Sequence, residues 1–268
     1  MAADHRIKVI LHGASGRMGR EVLSALCLEN DIRLVGAVSR SADKEHLPLP
    51  NGSAAIPLAS SLQALLTRCK ADVVVDFSNA EAILELARVS AENGINLVIG
   101  TSGISPEAAK KIEELCISHE VGAVIAPNFA IGAILMIHMA QLAARYFDQA
   151  EIVEMHHAAK ADAPSGTAIA TARAMAASRG NPFVRTVPKL EPVKGSRDSQ
   201  VEGVTIHAMR LPGLLAHQEV VFGTLGQTLT IRHDTISREC YIPGVMLAIR
   251  EVIKRKGLTY GLDKLLNL

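Results

Sequence analysis

The stretch IKVILHGASGRMG, residues 7 to 19, joins a short aliphatic run to a glycine-rich turn. Val and Ile dominate the run, which is apolar on both faces, as expected for a strand buried inside a parallel sheet. Gly13, Gly16 and Gly19 then fall where the chain turns and a helix begins. This strand, turn and helix predict the first unit of a doubly wound α/β fold.

The same alternation continues to residue 127. Further aliphatic runs predict buried strands, and the amphipathic segments between them predict helices, the last of which has a proline in its first turn. We therefore predict a Rossmann-type, doubly wound parallel sheet. The predicted strands cover 33–39, 72–78, 95–101 and 121–127, and the predicted helices cover 18–28, 81–92 and 106–118.

The pattern changes after Asn128. A long apolar helix over 131–146 is followed by runs in which apolar and polar residues alternate, which is typical of strands with one buried face. We predict a second α+β domain with an open, largely antiparallel or mixed sheet, a loop over 183–202 and a closing helix. The alternating runs are 150–157, 203–211, 216–223 and 227–234, with a tight hairpin at 223–226, and the closing helix is 242–257. The first predicted domain consists of residues 1–129 together with 237–268. The second predicted domain consists of residues 130–236.

Composition excludes several classes of protein. The 28 Lys and Arg residues almost balance the 27 Asp and Glu residues, so neither nucleic acid nor a membrane surface is an expected partner. No apolar run approaches the length of a spanning helix, and the N-terminal residues meet a turn after one strand, so we expect a soluble, cytoplasmic protein. The cysteines lack metal-ligand spacing, which favours reduced thiols and no metal: Cys27, Cys69, Cys116 and Cys240.

The glycine turn indicates a dinucleotide site. Glycines at a strand–helix junction allow a sharp turn, a close approach of diphosphate to backbone amides, and tight packing of helix on strand. The spacing here is G-x-x-G-x-x-G, which differs from the usual G-x-G-x-x-G and is less specific. A glycine turn needed only for packing is the alternative, and the position at the first junction of an alternating fold favours the nucleotide.

The end of the second predicted strand bears on the type of cofactor. NAD-specific folds usually place an acidic residue there, which accepts hydrogen bonds from the ribose 2′-hydroxyl. Ser39 and Arg40 occupy this place, and a hydroxyl with a guanidinium suits a 2′-phosphate. We therefore expect NADPH as the preferred cofactor, with NADH possible. The alternative is that Arg40 is an ordinary solvated loop residue.

Three polar turns close the next predicted strands. They are DFSNAEA (76–82), GTSG (100–103) and APNFAIG (126–132). Ligands of open α/β sheets bind beyond the carboxyl ends of the strands, so these turns are expected to line the ribose and nicotinamide end of one cleft. Each turn taken alone is equally compatible with a plain connection.

A second site is indicated by EMHHAAKADAPSGTA, residues 154 to 168. Ser165 suits the N-cap of a helix that is expected to end at Gly180, with Gly166 and Thr167 in the first turn. No acidic residue follows the cap, and Lys160 lies just upstream. A helix N-terminus left open beside an ammonium group favours an anion, most simply a carboxylate.

The adjacent histidines have two interpretations. Neighbouring side chains on a strand point to opposite faces, so His156 and His157 share a pocket only if the strand ends there. A single histidine is more often structural, but two histidines beside a lysine and a helix start favour a site, because histidine delivers protons near neutral pH. The segment therefore predicts a small, multiply anionic substrate that receives a proton.

These motifs together resemble those of the 4-hydroxy-tetrahydrodipicolinate reductase family, also called dihydrodipicolinate reductases. GASGRMG, DFS, GTSG, APNFAIG and above all the run from Glu154 to Ala168 carry the resemblance, and segments 203–223 and 229–245 extend it over essentially the whole chain. It implies reduction of 4-hydroxy-tetrahydrodipicolinate to tetrahydrodipicolinate by NAD(P)H in lysine biosynthesis, with a dicarboxylate substrate. It also implies a homotetramer formed through the sheet of the second domain.

The resemblance also implies roles for individual residues. His156 matches the general acid of the family and Lys160 the residue that orients substrate. His157, Gly166 and Thr167 match substrate carboxylate contacts, and Thr101 matches a position that meets both substrate and cofactor. The implied cofactor contacts are Gly13, Ala14, Ser15, Gly16, Arg17, Met18, Ser39, Arg40, Phe77, Gly100, Thr101, Ser102, Ala126, Pro127, Asn128 and Phe129.

Two other functions compete with this one. A semialdehyde dehydrogenase of similar architecture needs a cysteine nucleophile activated by a base, and none of the four cysteines lies in such a sequence setting. A nucleotide-sensing module needs the glycine turn but has no use for the two histidines and the lysine. Loss of turnover with retained cofactor binding on replacing His156 or Lys160 separates a reductase from a sensor.

Overall fold

The computed structural model describes residues 5–193, 195, 197 and 199–268. The chain divides into two compact units, Met1–Ile131 together with Tyr241–Leu268, and Gly132–Cys240. The predicted domain boundaries at 129/130 and 236/237 lie a few residues from these limits.

The elements alternate in the first unit and change character in the second. The strands are β1 (Ile7–His12), β2 (Ile32–Val38), β3 (His46–Pro48), β4 (Ala55–Ala59), β5 (Val73–Asp76), β6 (Asn96–Ile99), β7 (Gly122–Ile125), β8 (Gln149–His156), β9 (Gln200–Val201), β10 (Val204–Arg210), β11 (Ala216–Thr224), β12 (Gln227–Thr235) and β13 (Gly257–Tyr260). The helices are α1 (Arg17–Leu26), α2 (Leu62–Leu66), α3 (Ile83–Glu92), α4 (Pro106–Ser118), α5 (Ile131–Ala144), α6 (Gly166–Ala177), α7 (Ile242–Val252) and α8 (Asp263–Leu266).

The first unit is built on an eight-stranded sheet with the order β13-β7-β6-β5-β1-β2-β4-β3. Its strand pairs are parallel apart from β3 with β4, which pair antiparallel at the edge. The chain runs from β1 to β2 on one side and then crosses to β5 on the other. This reversal beside β1 is the topological switch point at which open α/β sheets bind ligands, and it confirms the predicted doubly wound fold.

Side chains from both faces of this sheet are buried. Ile10, Val74 and Leu97 belong to one core cluster with α2, α3 and α4. The intervening residues Val9 and Val75 are also fully buried and point to the other face, where α1 and α7 pack together. Two covered faces explain why the strands are almost continuously apolar.

Several elements of the first unit were not predicted from the sequence. The edge strands β3 and β4 contain Pro48 and Pro57, which weaken a strand pattern, and α2 and α8 are too short for a helical period to emerge. The predicted helix over 242–257 was wrong at its end, because α7 stops at Val252 and Gly257 begins β13. Gly257 has φ +74°, a left-handed backbone conformation that cannot continue a right-handed helix.

The second unit is built on a five-stranded sheet with the order β12-β11-β8-β10-β9. β8 and β10 are parallel and the other neighbours are antiparallel, which confirms the predicted mixed sheet. The two-residue link between β11 and β12 is the predicted hairpin. α6 ends at Ala177, before the predicted end at Gly180.

β8 divides its residues between the two faces of this sheet. Ala150 and Ile152 belong to a core cluster with α5 and α6. Because side chains alternate along a strand, Glu154 and His156 lie on this helix-covered face, and Glu151 lies on the opposite one. The segment singled out in the sequence is therefore directed towards the start of α6.

Candidate active site

The three glycines of the first turn have separate structural roles. Gly13 adopts φ +83°, and a Cβ built on it would lie 2.6 Å from the carbonyl oxygen of Phe77. A Cβ on Gly19 would lie 2.2 Å from the carbonyl oxygen of Gly13. Neither position tolerates a side chain. The turn and the close packing of α1 on β1 therefore require glycine at both positions. The nearest neighbour of a Cβ on Gly16 is the carbonyl oxygen of Gly13, at 3.2 Å.

A cleft of ≈ 570 Å³ opens beside this turn, at the carboxyl ends of β1, β2 and β5. α1 begins after Gly16 with no side-chain cap and no acidic residue in its first turn. Its first amides are therefore available to an anion, and the absence of a side chain at Gly16 gives an anion room to approach them. The turn fits the diphosphate of a dinucleotide. The predicted cofactor residues that line this cleft are Gly13, Ser15, Gly16, Ser39, Arg40 and Phe77.

Hydroxyl groups surround the end of β2. Ser39 is buried, and its hydroxyl hydrogen-bonds those of Ser15 at 2.8 Å and Ser41 at 3.2 Å. Arg40 is exposed and lines the same cleft. The side chains at this strand end are therefore hydroxylic and cationic, which suits a phosphate better than a bare ribose.

Phe77 closes one side of the cleft. A Cβ on Gly100 would lie 2.1 Å from Cε1 of the Phe77 ring, so the ring lies directly over that glycine. The ring of Phe129 packs on it with centroids 5.8 Å apart. The sequence motifs indicated that Phe77, Gly100 and Phe129 lie near the nicotinamide end, and in the structure Phe77 contacts both of the others.

The hydroxyl of Thr101 is already engaged inside the sheet. It donates to Asp76 at 2.6 Å and accepts from the backbone N–H of Ser78 at 3.0 Å. One lone pair is left, so this hydroxyl has no proton to donate to a ligand. The predicted contact of Thr101 with substrate and cofactor stays a prediction.

The other predicted cofactor residues are not among those lining the cleft. Some are buried and offer a ligand only their backbone, whereas others are accessible. The buried residues are Ala14, Ala126 and Phe129, the half-buried ones Met18, Gly100 and Asn128, and the exposed ones Arg17, Ser102 and Pro127. Residues that line the cleft and were not predicted include His12, Ser41, Ser60, Ser61 and Glu85.

The second candidate site begins at the start of α6. The Ser165 hydroxyl accepts from the backbone N–H of Ala168 at 3.2 Å, which confirms the predicted cap. The first turn has no acidic residue, and the described residues offer no acceptor to the N–H groups of Gly166 and Thr167. A Cβ on Gly166 would have no neighbour within 4 Å. This helix start combines free donors with open space.

Glu154, His156 and Arg210 lie next to this helix and are named the buried trio after the fully buried Glu154; His156 and Arg210 are half-buried. Nδ1 of His156 donates to Oε2 of the fully buried Glu154 at 2.6 Å, and the Arg210 guanidinium contacts both carboxylate oxygens at 2.7 and 2.8 Å. Glu154 also accepts from the N–H of Ser165 at 3.0 Å. A carboxylate from β8 thus supplies the negative charge that α6 lacks, and it fixes the orientation of the His156 ring.

The sequence alone indicated no role for Glu154 or Arg210. The signal for Glu154 was its spacing, since positions 154 and 156 share a face of one strand. No comparable signal existed for Arg210, whose place beside Glu154 depends on the parallel pairing of β10 with β8.

The pKa values of this trio are shifted by identifiable causes. Burial raises the pKa of Glu154, but hydrogen bonds from Arg210 and His156 outweigh burial and hold that pKa below its ordinary value. Burial also lowers the pKa of His156 below 6.5; Glu154 opposes the shift, and the charges of Lys160 and Arg210 add to it. His156 is therefore mainly neutral at pH 7, with the proton on Nδ1.

Lys160 lies close enough to His156 for its charge to lower the pKa of that histidine. Its ammonium group pairs with Asp162 at 2.6 Å, and Asp162 is 61% exposed. An exposed pair of this kind contributes little to stability, so another carboxylate readily replaces Asp162. β8 ends at His156, as a pocket shared with His157 requires, and the chain turns so that Lys160 N–H donates to the His157 carbonyl at 3.1 Å.

The cysteines do not supply an activated nucleophile. Burial raises the pKa of each thiol, that of Cys116 to about 11. A thiol that stays protonated at neutral pH is a poor nucleophile, which argues against the semialdehyde dehydrogenase chemistry. All four cysteines are free.

Neither a candidate metal site nor a candidate membrane-spanning helix occurs in the described part of the chain. Residues 5–193, 195, 197 and 199–268 hold no group of three or more His, Cys, Asp and Glu side chains suited to a metal ion. Among those same residues, every helix is too short or too polar to cross a bilayer.

Family models match both parts of the chain. The model described as dihydrodipicolinate reductase, N-terminus, matches residues 7–129, and the model for the C-terminus of the same enzyme matches residues 132–266.

Individual relatives agree with these models. The chain is 52% identical to the 4-hydroxy-tetrahydrodipicolinate reductase of Dehalococcoides mccartyi, over 98% of this chain and 99% of the relative. It is 48% identical to the enzyme of the same name from Moorella thermoacetica, over 97% and 98%. Its fold is similar to that of a dipicolinate-bound dihydrodipicolinate reductase from Paenisporosarcina sp. TG-14, with a TM-score of 0.86, 36% identity and coverage of 97% and 99%.

Proposed function

We propose that this chain, which belongs to the dihydrodipicolinate reductase family, reduces 4-hydroxy-tetrahydrodipicolinate to tetrahydrodipicolinate in the diaminopimelate route of lysine biosynthesis. The family is NAD(P)H-dependent, and its members are oxidoreductases. The observation that carries the proposal is the buried trio of Glu154, His156 and Arg210 at the uncapped start of α6. It combines a proton donor with groups that bind anions.

His156 is the proposed proton donor. Glu154 holds the proton on Nδ1, which leaves Nε2 to carry the proton that is transferred. The free protein keeps this ring mainly neutral because its pKa is lowered. A bound dicarboxylate adds negative charge beside the ring, raises its pKa and so favours the imidazolium form that delivers a proton.

The substrate carboxylates bind to groups around His156. The proposed partners are the Lys160 ammonium, the N–H groups of Gly166 and Thr167, and the His157 ring. Lys160 exchanges an exposed partner, Asp162, for a substrate carboxylate. The helix start adds donors that need no side-chain rearrangement, because they belong to the fixed backbone of α6.

The dinucleotide, when bound, supplies the hydride. The turn from Gly13 to Met18 is proposed to hold its diphosphate, and Phe77, the 100–102 turn and residues 126–129 its nicotinamide end. Ser39 and Arg40 are proposed to bind a 2′-phosphate, which favours NADPH over NADH without excluding NADH. The hydroxyl-lined end of β2 supports this preference, since it offers donors and one guanidinium to an anion.

We also propose a cytoplasmic homotetramer, assembled through the sheet of the second unit. Four free thiols, of which that of Cys116 is buried and the others half-buried, suit a reducing compartment. Exposed apolar side chains on and beside this sheet, among them Met209, Leu225 and Leu229, suit an interface between copies. Light scattering on the purified protein tests this assembly, and a monomer contradicts it.

Turnover tests the proposed reaction directly. Purified protein supplied with 4-hydroxy-tetrahydrodipicolinate is expected to oxidise NADPH, and NADH more slowly. No oxidation of either cofactor contradicts the reductase, and a strong preference for NADH contradicts the role given to Arg40. A nucleotide sensor predicts that the His156→Asn and Lys160→Met variants behave like the parent protein, whereas a reductase loses turnover and retains cofactor binding.

A further inference from the structure

Asp76, at the end of β5, is a fully buried carboxylate that gathers three side-chain hydrogen bonds. The hydroxyls of Ser78 and Thr101 donate to it at 2.6 Å each, and Nδ1 of His12 lies 2.6 Å from Oδ1. These groups come from the ends of three neighbouring strands, β1, β5 and β6. A carboxylate so placed fixes the positions of all three donors.

The orientation of the His12 ring follows from this contact. An ionised carboxylate only accepts hydrogen bonds, so Nδ1 of His12 carries a proton and Nε2 is the nitrogen left for other partners. Nε2 has no hydrogen-bond partner among the described residues, and it is not one of the buried atoms left without a partner. It therefore keeps access to solvent, although the side chain as a whole is only 13% exposed.

His12 lines the ≈ 570 Å³ cleft and directly precedes the glycine turn. The charged side chains that line this cleft are Arg40, at the end of β2, and Glu85, which is paired with Arg88 at 2.7 Å. Of the anionic groups of a dinucleotide, the diphosphate is the one that binds beside the glycine turn, whereas a 2′-phosphate binds at the end of β2. The diphosphate is therefore the group of a bound dinucleotide that would lie nearest Nε2.

We propose that His12 binds the cofactor diphosphate as an imidazolium, with Nδ1 donating to Asp76 and Nε2 donating to a phosphate oxygen, and that Asp76 is a positioning residue that holds the His12 ring for this contact. The proposal rests on the proposed dinucleotide site and adds a side-chain ligand to a turn otherwise built from backbone amides. The competing explanation is structural: His12 only occupies one acceptor site of Asp76.

Two variants separate these explanations. His12→Asn keeps an N–H near the position of Nδ1, so Asp76 retains its donor, but removes the group at Nε2. His12→Gln reaches the position of Nε2 and gives up the contact with Asp76. Calorimetry measures binding of ADP-ribose, which contains the diphosphate, and of adenosine 2′-monophosphate, which contains no phosphate on its 5′ side.

The expected result is a loss of about tenfold in ADP-ribose affinity in His12→Asn, as for removal of a hydrogen bond to a charged group. His12→Gln is expected to recover part of that loss. Adenosine 2′-monophosphate is expected to bind all three proteins equally. Thermal unfolding of the full chain gives the parallel readout of stability, and His12→Asn is expected to unfold close to the parent temperature.

Three results overturn the proposal. The first is an ADP-ribose affinity unchanged in His12→Asn, and the second is an equal loss for both nucleotides. The third is a parent protein that binds no ADP-ribose, which also removes the dinucleotide site. If the parent protein binds ADP-ribose in the expected way but does not reduce 4-hydroxy-tetrahydrodipicolinate, the proposed reaction is contradicted and the proposed role of His12 is not. The two failures are therefore distinguishable.

Discussion

The two faces of β8 carry the same three types of side chain in different surroundings. On the helix-covered face, Glu154 contacts His156 and Arg210. On the opposite face, Glu151 contacts His207 at 2.6 Å and also Arg197; these three residues are the accessible trio. The Glu154 side chain is 0% exposed and that of Glu151 is 37% exposed.

This difference shows that a histidine–carboxylate pair does not by itself define a site. The buried trio lies beside free backbone amides and Lys160, in surroundings where a hydrogen bond is strong. The accessible trio is partly solvated, so its charges are screened and its contacts are weaker. Burial, with ligand-binding groups nearby, is what distinguishes the proposed proton donor from a surface ion pair.

Removing the imidazole from each trio gives the largest expected contrast. His156→Asn is expected to lower kcat by about 10²–10⁴-fold, the usual contribution of a general acid. His207→Asn is expected to leave kcat unchanged, because it removes no group near the substrate. Steady-state NADPH oxidation measures both, and equal kcat values for the two variants contradict the assignment of the acid.

Neutralising each carboxylate gives the next contrast, in stability. Glu154→Gln leaves Arg210 without its charged partner and is expected to lower the free energy of unfolding by about 3 kcal/mol. Glu151→Gln removes a partly solvated pair and is expected to cost less than about 1 kcal/mol. Urea unfolding of the full-length variants measures the difference, and similar midpoints show that the buried trio is no more tightly coupled than the accessible one.

Lys160→Met tests whether the lysine beside the buried trio binds a substrate carboxylate. Loss of one charge-assisted contact is expected to raise KM for 4-hydroxy-tetrahydrodipicolinate by about tenfold, with a smaller effect on kcat. Lys264→Met serves as the control, since Lys264 is another lysine in a surface pair, 3.6 Å from Asp263. A KM raised equally in both variants indicates a general charge effect and not a contact.

The pH dependence of turnover is the smallest expected effect. The pKa of His156 lies below 6.5 in the free protein, and the acid must be protonated to react. The value of kcat/KM is therefore expected to fall as pH rises through a pKa below 6.5. Bound carboxylates raise that pKa, so kcat is expected to fall only at higher pH. Superimposable profiles contradict the influence of substrate charge on His156.

Sequence patterns predicted the parts of the fold that depend on local periodicity. α4 begins and ends as predicted, at Pro106 and Ser118, because a cap, a proline and a regular apolar stripe all mark it. The edge strands β3 and β4 and the final strand β13 escaped prediction because they are short and take their form from neighbours in the sheet. The local sequence does not show which strands those neighbours are.

The same distinction applies to the sites. The glycine turn and the start of α6 are contiguous in sequence, and their spacing was sufficient to indicate them as candidate sites. Arg210 and Asp76 are distant in sequence from the histidines they adjoin, and only strand pairing brings them together. The partners that set the charge and orientation of a candidate site residue are therefore the part of a site that a single sequence reveals least.

Titration of the histidine rings by NMR tests the central claim most directly. With ¹⁵N-labelled histidine, the pKa of His156 is followed in the free protein and with dipicolinate, the ligand of the Paenisporosarcina enzyme. The expected result is a pKa below 6.5 in the free protein that rises when dipicolinate binds, while the His207 signals do not change. A His156 titration unaffected by dipicolinate, or a change confined to His207, contradicts the claim that the helix-covered face of β8 is where the substrate is protonated.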